Sequence, residues 1–348
     1  MDFLHEWLPQ RVRFDTGRAT AALAEEAASA AIARPMVIAT PRGAALARTL
    51  TAGLDVAVLH DDVREHVPAD VAERARTVAG EHDVDGLICV GGGSATGLAK
   101  AVALTTGLPI LAVPTTYAGS EATDIWGLTT DGVKRTGVDP QVLPKAVIYD
   151  AALTVGLPVG LSTSSGLNAL AHAVDALWAP RADPINAVLA TEAVRSLAAA
   201  LPAVAATPDS LPARADAFYG TYLASTAFAS AGSGLHHKIC HVLGGRYDLP
   251  HAATHAVVLP HVLALNAPHA PDAERRLAEA FGAPSASAGL RALYDELDPP
   301  RTLRELGLSE AQAVEAAAAV LSVVPESNPA PADLEVLETL LRSAWAGS

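Results

Sequence analysis

The chain has 348 residues, half of them hydrophobic and 18% charged, a balance typical of a globular protein of about two domains. Its formal net charge of −14 argues against a nucleic-acid or anionic membrane partner, since both need a concentrated basic face. Two cysteines are too few for a disulfide framework and indicate a reduced, cytoplasmic setting. We expect no signal peptide and no membrane span, because Gly, Pro or charge interrupts every apolar segment before the ~18 residues that a span needs.

Short apolar runs alternate with Ala-rich stretches over the first 150 or so residues. Residues 71–81, for example, place Val and Ala at helical spacing against Glu and Arg. This alternation predicts a mostly parallel sheet with helices on both faces. The predicted strands are MVIAT (36–40), VAVL (56–59), GLICV (86–90), ILAV (110–113) and AVIY (146–149).

Long Ala/Leu-rich segments dominate after about residue 157, and Pro and Gly separate them. No convincing strand pattern occurs there. The sequence therefore predicts an α/β domain over 1–156 and an α-helical domain over 157–348. The predicted helical segments are 168–178, 185–206, 213–231, 273–282, 309–322 and 333–345.

A glycine-rich segment, Gly91-Gly92-Gly93-Ser94, follows the strand GLICV and precedes a helix expected to begin around Thr96. Glycines let the backbone approach a ligand closely, and N–H groups at a helix start attract anions. A pyrophosphate is the natural ligand, although the segment is not the standard GxGxxG fingerprint and could be a turn without a ligand.

A second polar loop, PTTYAGSE (114–121), follows the next predicted strand. Its hydroxyl groups suit a ribose, a phosphate or a carboxamide, and ligands of open α/β sheets bind at the carboxyl ends of strands. The alternative is a capped turn. Of the lysines, Lys100 and Lys134 are more typical of solvated residues, although Lys134 could reach a cofactor phosphate.

Six of the twelve histidines lie within the 26 residues from 236 to 261, where even spreading would place about one. His237 and His241 are four residues apart on a predicted helix and share a face, as do Asn168 and His172 on another. Imidazoles bind transition metals and move protons, so the spacing leaves both roles open. Taken singly, His255, His261 and His269 are more typical of structural or surface residues.

Five motifs in order resemble the iron-containing alcohol dehydrogenase superfamily, and within it the maleylacetate reductases. The resemblance implies a dinucleotide-binding α/β domain, a helical catalytic domain and a homodimer. The motifs are GGGS with Lys100 (91–100), PTTYAGSE (114–121), SGLNALAHAVDALW (165–178), HHKICHVLGG (236–245) and DLPHAATHAVVLPH (248–261).

The metal-dependent members of the superfamily hold iron or zinc with one Asp and three His, which fall on Asn168, His172, His237 and His251 here. An amide oxygen is a weaker ligand than a carboxylate and brings no charge. Gly97 also replaces the Asp that usually closes the GGGSxxD motif. Both departures resemble maleylacetate reductases and imply an enzyme that needs little or no metal, with adventitious zinc binding left open.

The resemblance implies reduction of the dicarboxylate maleylacetate, or a substituted form, to 3-oxoadipate by NADH or NADPH during the degradation of aromatic compounds. Protonated or hydrogen-bonding imidazoles of His172, His237 and His251 would stabilise an enolate, with His241 as the proton donor. Lys238 and Arg246 are candidates for binding the substrate carboxylates. The expected cofactor contacts are Gly92, Gly93 and Ser94 at the pyrophosphate, Thr115, Thr116, Tyr117 and Ser120 along the nicotinamide and its ribose, and Thr154 and Leu157 near the adenine.

Three alternatives remain at this stage. A metal-dependent alcohol or polyol dehydrogenase would have to tolerate Asn168. A lyase of the dehydroquinate-synthase type would need a metal and a basic phosphate site, which the histidine cluster supports poorly. A non-catalytic nucleotide-binding protein would leave the histidine cluster unexplained.

Overall fold

The computed structural model describes residues 2–7, 9–130 and 133–347. The chain divides into two compact units, Leu8–Leu157 and the combination of Met1–Trp7 with Pro158–Ser348. The sequence-based boundary between 156 and 157 thus differs from the structural one by a single residue. The sequence-based division placed residues 1–7 in the α/β domain, whereas in the structure they belong to the helical unit. His5 Nδ1 donates to the Asp183 carboxylate of that unit at 2.8 Å.

The first unit is built on a six-stranded parallel sheet. In spatial order the strands are β1-β8-β5-β4-β2-β3, and a separate antiparallel hairpin consists of β6 and β7. The elements are β1 (Arg11–Phe14), α1 (Ala19–Ser29), β2 (Pro35–Ile38), α2 (Ala44–Leu50), β3 (Val58–His60), α3 (Ala69–Glu81), β4 (Gly86–Gly91), α4 (Gly93–Thr106), β5 (Ile110–Pro114), β6 (Ile125–Thr130), β7 (Val133–Val138) and β8 (Ala146–Tyr149).

All five predicted strands occur in this sheet, with ends shifted by up to two residues. Every residue of β2, β5 and β8 is buried, as expected for strands covered on both faces. β1 was not predicted, because RVRF is an edge strand whose arginines reach solvent while its backbone pairs with β8. The hairpin was also missed, since its polar strands IWGLTT and VKRTGV are largely exposed or half-buried.

The second unit is helical, and no strand occurs among its described residues, as predicted. The helices are α5 (Val159–Ala176), α6 (Pro184–Ala206), α7 (Leu211–Ala231), α8 (Leu235–Tyr247), α9 (His251–Asn266), α10 (Pro271–Phe281), α11 (Ala286–Leu297), α12 (Glu310–Leu321) and α13 (Leu334–Ala346). α6 is the one described helix long and apolar enough to cross a membrane, but it packs against α5 and α7, as a core helix does.

Helix α5 is the centre of this unit and carries part of the candidate site. All its residues from Ser162 to Ala176 are buried. Close packing against α6 depends on Gly166, where a Cβ atom would lie 2.2 Å from Leu201 Cδ2. Polar side chains on the inner part of α5 are therefore held in a dense apolar environment, where each needs a defined partner.

Candidate active site

The glycine-rich turn lies at the carboxyl end of β4. Gly91 has φ +152°, Gly92 is the extended N-cap residue, and α4 begins at Gly93 rather than near Thr96. A Cβ atom at Gly92 would lie 2.8 Å from Thr116 Oγ1, so no side chain fits there. The first turn of α4 has no acidic residue, which leaves the positive end of the helix available to an anion.

The second polar loop lies directly beside this turn. β5 pairs with β4 so that Pro114 is opposite Gly91, and Thr115 N donates to Gly91 O at 3.0 Å. The two predicted cofactor loops thus emerge together from adjacent strand ends, and a Cβ atom at Gly93 would be 3.5 Å from Ala118 Cβ. Ser94, Thr115, Thr116 and Ser120 are half-buried around this junction.

Two residues predicted to contact the cofactor, Tyr117 and Thr154, are instead buried beneath the surface of the protein. Tyr117 and Thr154 are fully buried, and the Tyr117 hydroxyl donates to Thr154 Oγ1 at 3.2 Å. In this structure their side chains contact each other and offer no surface to a ligand. Leu157 is half-buried at the end of the unit, and Lys134 is half-buried on β7 opposite Thr129.

Lys100 is a functional candidate that the sequence analysis undervalued, because it is buried rather than solvated. Its Nζ donates to the carbonyls of Ser120, Thr123 and Ile125 at 2.7–2.9 Å and to Thr123 Oγ1 at 2.9 Å. Burial lowers the pKa of Lys100 to about 7, against the opposing effect of Glu121. Four acceptors around one amine fasten the end of the second loop to α4.

The second unit assembles the histidine cluster from three helices. Asn168 and His172 lie one turn apart on α5, His236, His237 and His241 on α8, and His251 and His255 at the start of α9. The His172 and His237 rings stack with centroids 4.8 Å apart and planes 20° apart. His241 approaches His237 edge-on at 6.2 Å. The four histidines predicted as catalytic therefore belong to one cluster, with Asn168 buried one turn from His172.

His255 is fully buried and packs against three other histidines of the cluster. Its ring centroid lies 4.7 Å from that of His237, 4.4 Å from that of His251 and 4.9 Å from that of His236. His236 Nε2 and His255 Nδ1 form a hydrogen bond of 2.9 Å. Spacing could have suggested this, because His251 and His255 are one helical turn apart.

Asp175 is a second residue that the sequence analysis missed. Its side chain is fully buried, and its Oδ2 accepts from His237 Nδ1 at 2.8 Å, from Gly234 N at 3.0 Å and from His237 N at 3.3 Å. This contact fixes the His237 ring and places a proton on Nδ1. The signal was its position three residues after His172 on the same helix.

Burial lowers the pKa of three histidines of the cluster and so favours their neutral form. Burial lowers the pKa of His172 and of His236 to about 4, with Asp175 acting in the opposite direction, and lowers that of His255 below its ordinary value. His172 Nδ1 lies 3.2 Å from Ser225 Oγ. Of the two expected modes of action, neutral hydrogen bonding therefore fits His172 better than a permanent positive charge.

The two predicted carboxylate-binding residues differ in their surroundings. Lys238 follows His237 on α8 and is half-buried. Arg246 is exposed near the end of α8 and pairs with Glu315 on α12, Nη1 to Oε1 3.4 Å. The ion pair of Arg246 with Glu315 thus lies at the surface, and no described contact of Arg246 joins it to the histidine cluster.

One group of three side chains within the described residues could converge on a metal ion. It consists of His236, His237 and His255, whose ligand atoms all lie within 4.8 Å of one another. The group shares only His237 with the positions 168, 172, 237 and 251, and His172 and His251 do not join it. The convergence of ligand atoms therefore differs from what the family pattern predicts.

Comparison with known proteins covers almost the whole chain. The sequence profile of iron-containing alcohol dehydrogenase matches residues 9–151, and that of the C-terminal part of the Fe-containing alcohol dehydrogenase family matches residues 162–345. Maleylacetate reductase from Pseudomonas sp. (strain P51) is 43% identical over 349 residues, which cover 100% of this chain and 99% of that protein.

Solved structures of similar proteins support the same family assignment. The crystal structure of an iron-containing alcohol dehydrogenase from Corynebacterium glutamicum superposes with a TM-score of 0.96 at 53% identity, covering 99% of this chain and 97% of that one. Maleylacetate reductase from Agrobacterium tumefaciens superposes with a TM-score of 0.93 at 39% identity, covering 100% and 99%. Both units match the same family, and the chain belongs to the iron-containing alcohol dehydrogenase family.

Proposed function

We propose that the chain is an NAD(P)H-dependent maleylacetate reductase, which reduces maleylacetate or a substituted maleylacetate to 3-oxoadipate in the degradation of aromatic compounds. The observation that carries the proposal is the chemistry of the histidine cluster, where Asn168 stands at the position that the sequence resemblance assigns to the family's acidic ligand. Full-length identity of 43% to a maleylacetate reductase supports it.

The first unit would bind the dinucleotide. Gly92, Gly93 and Ser94 present backbone N–H groups at the start of α4, which suits a pyrophosphate. Thr115, Thr116 and Ser120 border the same junction, and Lys100 holds their loop. The strand β2 is followed by Thr40-Pro41-Arg42, so no carboxylate there repels a 2′-phosphate, and we infer that NADPH is accepted as well as NADH.

The family's iron does not fit the residues at its four positions. Asn168 offers a neutral amide where a carboxylate would offset the charge of a dication. His251 packs edge-on against His255 at 4.4 Å, and the described ligand atoms converge on His236, His237 and His255 instead. We therefore infer that catalysis does not require a metal.

Without a metal, the chain's own residues have to stabilise the enolate that forms when maleylacetate accepts a hydride. The reduced nicotinamide would supply a hydride to the carbon–carbon double bond, and the second carbon of that bond takes a proton. Neutral His172 and the amide of Asn168 can donate hydrogen bonds without attracting a cation. We assign the proton to His241, which is half-buried at the edge of the cluster, and one substrate carboxylate to Lys238.

A substrate comparison tests the proposal. Oxidation of NADH and NADPH is followed with maleylacetate, simple aldehydes and ketones, using protein purified without a metal-affinity tag and treated with a chelator. We expect rapid turnover of maleylacetate by the chelated enzyme. Rapid aldehyde reduction without maleylacetate turnover would reject the proposal, and stoichiometric iron or zinc with activity lost on chelation would favour a metal-dependent alcohol or polyol dehydrogenase.

We also infer a homodimer that works in the cytoplasm on a small dicarboxylate, without nucleic acid or membrane. The net charge of −14 supports the last part, because it disfavours polyanionic surfaces. Light scattering after size exclusion tests the dimer, and a mass of one chain at micromolar concentration would contradict it.

A further inference from the structure

The imidazoles of His236, His237 and His255 form a compact buried group. All three residues are at most 2% exposed, and their ligand atoms lie within 4.8 Å of one another. Zinc in proteins binds three or four such ligands at about 2.0–2.1 Å, which separates ligand atoms in tetrahedral geometry by about 3.3 Å. The hydrogen bond of 2.9 Å between His236 Nε2 and His255 Nδ1 is already close to that separation.

The proton of this hydrogen bond can be relocated when a metal binds. One of the two bonded nitrogens carries the proton, and a metal bound to both would take its place. His236 Nδ1 and His255 Nε2 are buried and make no hydrogen bond among the described residues, and the one that belongs to the donating ring carries no proton, so the displaced proton moves to it by tautomerisation. Metal binding at this pair therefore requires no net loss of a proton.

The surroundings suit a divalent cation. Asp175 accepts from His237 Nδ1 at 2.8 Å, the carboxylate–histidine arrangement that typically orients a metal-binding imidazole and raises its basicity. Cys240 Sγ lies 3.7 Å from His236 Nε2, one turn along α8. Nitrogen and sulfur ligands of this kind favour zinc over magnesium or calcium.

We propose that His236, His237 and His255 form a zinc-binding site distinct from the metal position of the family, and that zinc bound there inhibits the enzyme. Inhibition follows because His237 belongs to both groups, so zinc withdraws it from the reaction. Binding at this site does not depend on the proposed reaction, whereas the inhibition does.

Zinc affinity of site variants tests the location. Zinc chloride is titrated into the chelator-treated full chain in competition with a chromogenic chelator, for wild type, His236→Gln, His255→Gln and the matched control His172→Gln, which removes a family position outside the proposed group. We expect one zinc per wild-type chain, a loss of affinity of at least about 100-fold in the first two variants, and a change below about threefold in the control.

Two further measurements keep the test decisive if a variant folds poorly. X-ray absorption of the zinc-loaded wild type should show three imidazole ligands at about 2.0–2.1 Å, and circular dichroism identifies variants that are not folded. Loss of affinity in His172→Gln but not in His255→Gln would place zinc at the family position and overturn the proposal, as would the absence of binding below millimolar zinc. Maleylacetate turnover by the metal-free enzyme is scored separately, so failure of the proposed function is recognised independently.

Discussion

Replacing Asp175 by Asn tests how the histidine cluster is held together. Asp175 Oδ2 accepts three hydrogen bonds, from His237 Nδ1, His237 N and Gly234 N, while its Oδ1 accepts from Trp178 Nε1 at 3.3 Å. An Asn side chain has only one oxygen, so it can keep the three hydrogen bonds from His237 and Gly234 only if that oxygen takes the place of Oδ2. Its NH2 group then faces the Trp178 N–H, donor against donor.

The energetic cost can be bounded from these contacts. Three charge-assisted hydrogen bonds become neutral, and each loses about half its strength, while an opposed donor pair adds about 1–3 kcal/mol. Relief of a fully buried charge offsets part of this loss. We expect the free energy of unfolding to fall by about 1–3 kcal/mol. Because loss of such supporting contacts typically costs 10–100-fold in activity, we expect kcat to fall by about that factor.

The measurement pairs denaturant unfolding with steady-state turnover of maleylacetate and with NADH binding by fluorescence. Asp150→Asn is a matched control, since Asp150 is also buried and accepts from the backbone N–H groups of Gly17, Ala19 and Ala152 at 2.8–3.1 Å. It should lose similar stability but keep kcat within about threefold. Equal kcat for wild type and Asp175→Asn would refute the claim that Asp175 positions His237.

Three other predictions concern the remaining buried polar groups. Lys100→Met leaves three backbone carbonyls without their Lys100 hydrogen bond, so we expect the free energy of unfolding to fall by about 3–5 kcal/mol and NADH to bind more weakly. An unchanged free energy of unfolding and an unchanged NADH affinity would contradict the claim that Lys100 holds the second polar loop. Gly92→Ala places a Cβ atom 2.8 Å from Thr116 Oγ1, so the dissociation constant of NADH, measured by fluorescence, should rise at least about 10-fold. Because burial holds the pKa values of His172 and His236 near 4, the unfolded state binds more protons below pH 6.5, and stability should fall between pH 7 and pH 5 by about 2 kcal/mol for each; denaturant curves that coincide at the two pH values would contradict this.

Most of the strands that the sequence predicts are buried on both faces of the sheet. Runs such as ILAV are buried on both faces of the sheet, so apolar character alone identifies them. RVRF in β1 and the exposed hairpin gain their stability from backbone pairing with a neighbour, which composition does not reveal. Most helices of the second unit were predicted from Ala/Leu-rich segments, but α9 and α11 were not among them, and helix ends depend on local caps such as Asp183.

Spacing along the chain predicted that several histidines lie together, but not which side chains pair with one another. Gly92, His172, His237 and His241 were identified by residue type and spacing, and the structure places the three histidines in one cluster. Whether a polar residue is buried, and against which partner, depends on side chains far along the chain. The carboxylate of Asp175 meets the ring of a histidine 62 residues later, a contact that no local pattern contains.

In the proposed enzyme, the missing carboxylate at position 168 is one of two features that distinguish the histidine cluster from the metal site that the resemblance implies. Asn168 removes the charge that would hold a dication at the family position, yet it leaves His172, His237 and His251 in place. His255 is the second feature, because its ring packs against both His237 and His251 and pairs with His236. Imidazole–imidazole contacts thus hold these rings where metal bonds would otherwise orient them. In the proposed enzyme the cluster would present neutral hydrogen-bond donors to an anionic substrate, and the same contacts bring together nitrogen atoms suited to zinc.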